Sequence, residues 1–168
     1  RLLGQNVFQG TSTGAPPTVT LRAVDDPLAA SIAAEAAPFR PDAAPYSEFV
    51  LAVPPGTYQL HAARGASPWF LVAAALDGRD VLDAPLRVSP GDVPTRLVVT
   101  FTDRPTQLSG SLQTATATPA TGLVIVVFST DRAHWRSRSR FIQAARPSTS
   151  GTFDVRGLPA GEYFVAAV

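Results

Sequence analysis

The sequence predicts an all-β protein: two tandem antiparallel Greek-key β-sandwiches, the second truncated at its C-terminal end. Three observations predict it. A hairpin is repeated: a strand carrying Phe49, a Pro54-x-Gly56-x-Tyr58 turn and a following strand return as Phe153, Pro159-x-Gly161-x-Tyr163 and a strand about 105 residues on. Several short runs alternate apolar and polar residues with a period of two. The 16 Pro and 12 Gly in 168 residues suit short strands and tight turns rather than helices.

Taken in order, residues 2–8 read as a short strand weakened by Gly4, and 10–17 as a turn. Residues 18–24 place Val19, Leu21 and Ala23 on one face and Thr20 and Arg22 on the other, the pattern of a half-buried strand. Residues 25–46 form a long excursion. Its helix formers at 28–37 leave room for a short helix, which Pro38, Pro41 and Pro45 prevent from continuing. Residues 48–64 make the first hairpin. The apolar run at 69–76 reads as a strand because Pro68 and Asp77-Gly78 flank it. Residues 77–80 are a turn and 86–88 a short strand. Residues 95–102 are a strong strand with Leu97, Val99 and Phe101 on one face.

The Asp103-Arg-Pro105 stretch marks the boundary between a first domain, 1–103, and a second, incomplete one, 104–168. The pattern then restarts. Residues 107–113 are a strand containing Gly110, and 114–122 a turn. Residues 123–129, nearly all apolar, read as a central strand buried on both faces. A basic excursion at 131–140, a short strand at 141–145 and a turn at 147–151 lead into the closing hairpin. The halves align at ordered anchors: 18–25 with 124–131, Phe49 with Phe153, Pro54 with Pro159, Gly56 with Gly161, and Tyr58 with Tyr163. Residues 69–101 have no counterpart. The closing strand should be interior, so its missing neighbours are expected from later residues or from a strand that another chain donates.

With 45% apolar and 16% charged residues, a packed core is expected. The formal net charge of +1 offers no field to gather nucleic acid or an anionic membrane. No run reaches the roughly 18 apolar residues of a membrane span. Cysteine is absent, which excludes disulfides, thiolate metal sites and Cys nucleophiles. All 14 basic residues are Arg, which excludes a Schiff-base lysine and reads, with the absence of Met, as the mark of a GC-rich genome. The chain opens at Arg1 without Met, as a processed or trimmed product does.

The ordered anchors resemble the carboxypeptidase regulatory-like domain, in the transthyretin-like and Cna B-type group of β-sandwiches. The stretches that carry the resemblance are LDGRDVLD at 76–83, VVTFTDRP at 98–105, VFSTDR at 127–132, and residues 153–168. It is closest to tandem versions in large exported bacterial proteins. It implies an exported module, periplasmic or at the cell surface, that spaces, stabilises or docks a partner assembly. It implies no catalytic residue and no cofactor. The Lys–Asn isopeptide bond of some Cna B-type domains cannot form in a chain without Lys.

Several residues are candidates for contact with a partner. Arg132, Arg136, Arg138 and Arg140 surround Trp135, and on an extended segment Arg136, Arg138 and Arg140 would share a face. Such a group suits a protein partner or an acidic glycan, with nucleic acid not expected. The competing reading is a solvated loop whose Trp packs on the end of the sandwich. Trp69 is a candidate sugar platform, against packing over the sandwich end. Either tryptophan would serve a carbohydrate- or ligand-binding module, the alternative function, beside that of an accessory domain of a larger hydrolase. Asp77, Asp80 and Asp83 have a spacing that Ca²⁺ could use but lack the oxygen density of a calcium loop. Asp131, His134 and Ser137 are triad residue types without a nucleophile elbow. Gly56, Tyr58, Gly161 and Tyr163 are structural: the glycines permit the turn, and each ring fills the core while its hydroxyl reaches a backbone group.

Overall fold

The computed structural model describes the chain apart from residues 27, 29, 37–45, 64, 92–95 and 137–138. Among the described residues the chain is all-β. Its strands are β1 (Leu2–Gln9), β2 (Thr18–Ala23), β3 (Ile32–Ala33), β4 (Glu35–Ala36), β5 (Tyr46–Leu51), β6 (Gly56–Ala63), β7 (Phe70–Leu76) and β8 (Arg79–Asp80). They continue with β9 (Leu86–Val88), β10 (Arg96–Thr102), β11 (Gln107–Ser111), β12 (Ile125–Ser129), β13 (Ile142–Ala145), β14 (Thr152–Arg156) and β15 (Tyr163–Ala167). A 3-10 turn, Arg132–His134, lies between β12 and β13. The strands form two compact units, Arg1–Arg104 and Pro105–Val168.

Unit 1 is a β-sandwich. One sheet has the order β4-β5-β1-β10-β7-β8 and the other β3-β2-β6-β9. Alternation along each strand sends one set of side chains inward. In β10 these are Leu97, Val99 and Phe101, each 0% exposed, and they share one cluster with Leu21 and Leu60 of the second sheet. Each such side chain contributes about 1.5–3 kcal/mol by leaving water. One pairing departs from the antiparallel expectation. β1 and β10 run parallel, from Leu3 opposite Arg96 to Gln9 opposite Thr102. The chain visits the other sheet between them, so the long crossover that a parallel pair needs is present.

Two local readings change. Asp77 and Gly78 both have positive φ, 48° and 82°, which makes a two-residue hairpin turn that closes on the Leu76–Arg79 pair. The expected turn at 77–80 is therefore shorter, and Arg79 and Asp80 form β8. The helix with room at 28–37 is replaced where it is described. Ile32 pairs with Leu21 of β2, and Glu35 with Val50 of β5. Sheet edges supply the backbone partners that a helix would have supplied internally, and tertiary pairing overrides propensity. The three prolines of that excursion lie outside the described residues.

Unit 2 has a three-stranded sheet, β13-β12-β15, and a two-stranded one, β11-β14. Ile125 and Val127 from the first meet Val155 from the second, with Leu158. β12 is central, but it is not buried on both faces: Ile125, Val127 and Ser129 are buried while Val126 and Phe128 are half-exposed. An apolar run shows what a strand can bury, not what covers it.

The two units share register. Ala23, Leu21 and Val19 lie opposite Tyr58, Leu60 and Ala62. Ser129, Val127 and Ile125 lie opposite Tyr163, Val165 and Ala167. Gly4 faces Phe49, and Gly110 faces Phe153. Tyr58 Oη donates to the Pro54 carbonyl at 2.9 Å, and Tyr163 Oη donates to that of Pro159 at 2.8 Å. An i to i−4 hydroxyl bond thus ties each strand start to the turn before it, with Gly56 and Gly161 beneath the rings.

Candidate interaction surface

The outer face of the β13-β12-β15 sheet gathers exposed apolar side chains with charge beside them. Opposed residues of an antiparallel pair share a face. Phe128 therefore shares its outward face with Ile142 on one side and Phe164 on the other. The Phe128 and Phe164 rings lie 5.5 Å apart. The chain after β12 brings in a third ring. Asp131 caps the 3-10 turn by accepting from the Ala133 N–H at 2.9 Å, and the Trp135 indole N–H donates to the Ser129 carbonyl at 2.7 Å. That bond folds Trp135 back, edge-on to Phe128 at 5.5 Å. Ile142, Trp135 and Phe164 are 37%, 45% and 52% exposed, so the row faces solvent.

Positive charge sits beside the row. The Arg132 guanidinium stands 5.6 Å from the Trp135 ring centre, within cation–π range. Arg140 lies 5.2 Å from the ring of Phe141. Arg136 Nε donates to the Ala133 carbonyl at 3.0 Å. The expectation that Arg136, Arg138 and Arg140 share a face by alternation supposes an extended segment. At its described residues the Ser139 N–H donates to the Arg136 carbonyl, and the Ile142 N–H to that of Ser139. Arg138 lies outside the described residues.

Beneath the row, Ser129 is buried, and its hydroxyl shares a hydrogen bond of 3.1 Å with His134 Nδ1. It also accepts from the Asp131 N–H at 3.1 Å. His134 stacks on Phe141 at 3.7 Å, the two rings nearly parallel. The histidine is thus engaged with Ser129, while the Asp131 carboxylate serves the turn. Ser137, the triad's expected nucleophile type, lies outside the described residues.

The other candidates are placed differently. Trp69 is 1% exposed, its indole N–H donates to the Gly14 carbonyl at 2.7 Å, and its ring lies 5.0 Å from that of Phe8. This corrects the sugar-platform reading, because no ring face is left for a sugar. The Asp77 carboxylate accepts from the Arg96 N–H, and that of Asp80 from the Leu82 N–H, so both serve backbone turns. No group of three or more His, Cys, Asp or Glu with metal-holding geometry occurs among the described residues. No described helix is long and apolar enough to cross a membrane.

Phe128, Phe164 and Ile142 were not singled out from the sequence. The signal was present: in both β12 and β15 an aromatic residue occupies the outward phase of the alternation, beside Val127 and Val165.

No family model and no curated protein matches the chain. Among solved structures it is similar to the Bacillus anthracis TIE protein, at 9% identity and a TM-score of 0.30, over 99% of this chain and 28% of that one. The chain spans 28% of that protein's length.

Proposed function

We propose that the chain is a non-catalytic interaction module that docks a protein partner through the outer face of unit 2. The observation that carries the reading is the solvent-facing row of Trp135, Phe128, Phe164 and Ile142, with Arg132 on the tryptophan. Aromatic residues and Arg are enriched in the energetic centres of protein interfaces, and contiguous exposed apolar patches mark them. The shared register of the two units supports kinship with tandem carboxypeptidase regulatory-like, Greek-key sandwiches of the transthyretin-like kind. Exported placement, periplasmic or at the cell surface, follows from the same resemblance.

A second reading, a carbohydrate-binding module, is favoured by one observation: Trp135 is 45% exposed and so has ring surface to offer a sugar. Two measurements on the 168-residue chain separate the readings. Photo-crosslinking from position 142 in the native surface fraction should trap a protein species that Trp135→Ala and Phe164→Ser both abolish. Saturable binding on a glycan panel, lost in Trp135→Ala but kept in Phe164→Ser, would replace the docking reading with the carbohydrate one.

A further inference from the structure

Two loops of unit 2 are built alike. Residues 114–118 read Thr-Ala-Thr-Ala-Thr and residues 148–152 read Ser-Thr-Ser-Gly-Thr, so each has a hydroxyl at its first, third and fifth place. In both, the N–H of the fourth residue donates to the carbonyl of the first, from Ala117 to Thr114 at 3.0 Å and from Gly151 to Ser148 at 2.8 Å. In both, the N–H of the first donates to the carbonyl of the fifth, from Thr114 to Thr118 at 2.9 Å and from Ser148 to Thr152 at 2.8 Å. The fourth residue has positive φ, 59° at Ala117 and 78° at Gly151. This is the three-residue hairpin loop, a turn followed by a left-handed residue. The loops lie side by side: the Leu112 N–H donates to the Gly151 carbonyl, and a Cβ on Gly151 would stand 3.2 Å from that of Pro119.

Closing such a loop uses only the first hydroxyl. Thr114 Oγ1 accepts from the Thr118 N–H, and Ser148 Oγ from the Thr152 N–H, each at 3.3 Å. The side chains of Thr116 and Thr118 bond only to hydroxyls of their own loop, and so do those of Ser150 and Thr152. All six hydroxyl residues are exposed, and so is the whole stretch 113–119. No charged residue occurs from 105 to 130 or from 147 to 153. Thr116 between Ala115 and Ala117, and Ser150 between Thr149 and Gly151, thus present hydroxyls that the backbone does not need, at loop tips with small neighbours. A neutral stretch rich in Ser and Thr, with proline, is the composition of O-glycosylated segments.

We propose that Thr116 and Ser150 accept O-linked sugar, the two loops forming one glycan-bearing end of unit 2. The donor is a sugar carried on a nucleoside or lipid diphosphate, and a glycosyltransferase makes the transfer. The side-chain oxygen bonds to the anomeric carbon, the bond from that carbon to the diphosphate breaks with its electron pair, and the hydroxyl proton passes to a base of the transferase. A sugar is bulky, soluble and uncharged, so it suits a surface loop without counter-ions. Phosphate on the same hydroxyls would find no arginine within either loop to pair with. The loops stand towards the Ile125–Ala145 end of the β12–β13 pair, and the aromatic row towards the Phe128–Ile142 end. The sugar therefore leaves the row open, and the proposal does not rest on the docking reading.

The test maps the chain recovered from the cells that make it, because the transferase is a separate protein. Peptide mass spectrometry, with fragmentation that keeps side-chain attachments in place, should find increments of whole sugar residues at Thr116 and at Ser150, and mild alkali should remove them. Thr116→Val should lose the increment of its own loop and keep that of Ser150, and Ser150→Ala the converse. Neither hydroxyl serves the backbone, so both variants should fold as the parent does. A bare Thr116 or a bare Ser150 in the unaltered chain, a phosphate increment at either, or sugar confined to other residues would each overturn the proposal. Mapping the unaltered chain decides the matter even if a variant fails to fold.

Discussion

Phe153 lies across Gly110 on the neighbouring strand, its Cζ 2.8 Å from the place where a Cβ would stand. Phe49 and Gly4 repeat the relationship in unit 1, at 2.1 Å. A glycine weakens a strand by itself, but here it opens a seat for an opposed ring, and the ring restores apolar cover. The two seats differ in how far the ring can yield. Phe49 is 2% exposed and enclosed by core residues, so Gly4→Ala is an overpacking change and should cost about 2–3 kcal/mol. Phe153 is half-buried and Gly110 exposed, so the ring can swing aside and Gly110→Ala should cost about 1 kcal/mol or less. Urea unfolding of the two variants checks the order, and equal losses would count against it.

The tyrosine hydroxyls make a matched pair of tests. Tyr58→Phe and Tyr163→Phe each remove one donor and leave the ring. Each should lose about 1 kcal/mol, the usual net value of such a bond. The two losses should be alike, because Pro54 is exposed and Pro159 half-buried, so either orphaned carbonyl can find water. Trp69 lies in unit 1 and Trp135 in unit 2, so tryptophan fluorescence with one indole replaced by Phe follows each unit separately. A loss that appears in the wrong unit's transition would contradict the assignment.

What is legible in this sequence is what acts locally. Pro54 and Pro159 set a turn, Gly161 adopts a positive φ after it, and a tyrosine four residues after the proline can reach its carbonyl. All of that is within one hairpin. What is not legible is cover. Gly4 looks like a weakness until Phe49 is known to lie opposite. The run at 123–129 looks doubly buried because its composition reports appetite, not neighbours. The helix formers at 28–37 give no hint that the edges of β2 and β5 will take Ile32 and Glu35. The candidate surface divides in the same way. Trp135 and its Arg neighbours stand out because they are adjacent in sequence, whereas Phe164 and Ile142 join them only through pairing with Phe128.

The two tryptophans, alike to a reader of the sequence, should behave in opposite ways. Trp69 is fully buried, packed on Phe8 and bonded to the Gly14 carbonyl. Trp69→Ala leaves a large cavity and should cost about 3–5 kcal/mol. Trp135 is 45% exposed, and Trp135→Ala should cost about 1 kcal/mol or less. Thermal unfolding measures both. Acrylamide gives an independent check on the parent chain, since it should quench Trp135 and leave Trp69 nearly untouched.

Asp103 ties the end of β10 to the loop after β1. Its Oδ2 accepts from the Thr11 and Ser12 N–H groups at 2.8 and 2.9 Å. Gly10 makes the approach possible: its φ is +151°, and a Cβ there would stand 2.0 Å from the Asp103 carboxylate. Asp103→Ala strips two partly exposed N–H groups of their acceptor and should cost about 1–2 kcal/mol. Asp103→Asn keeps an acceptor without the charge and should cost about half as much. Gly10→Ala pushes the carboxylate out and strains the backbone at once, so it should cost at least as much as Asp103→Ala. The coupling decides between this account and two unrelated effects. If Gly10→Ala already breaks the bonds of Asp103, the double variant should lose less than the sum of the two single losses, by about 1 kcal/mol. Strictly additive losses in urea unfolding would mean that Gly10 and Asp103 act independently and that the glycine is not what admits the carboxylate.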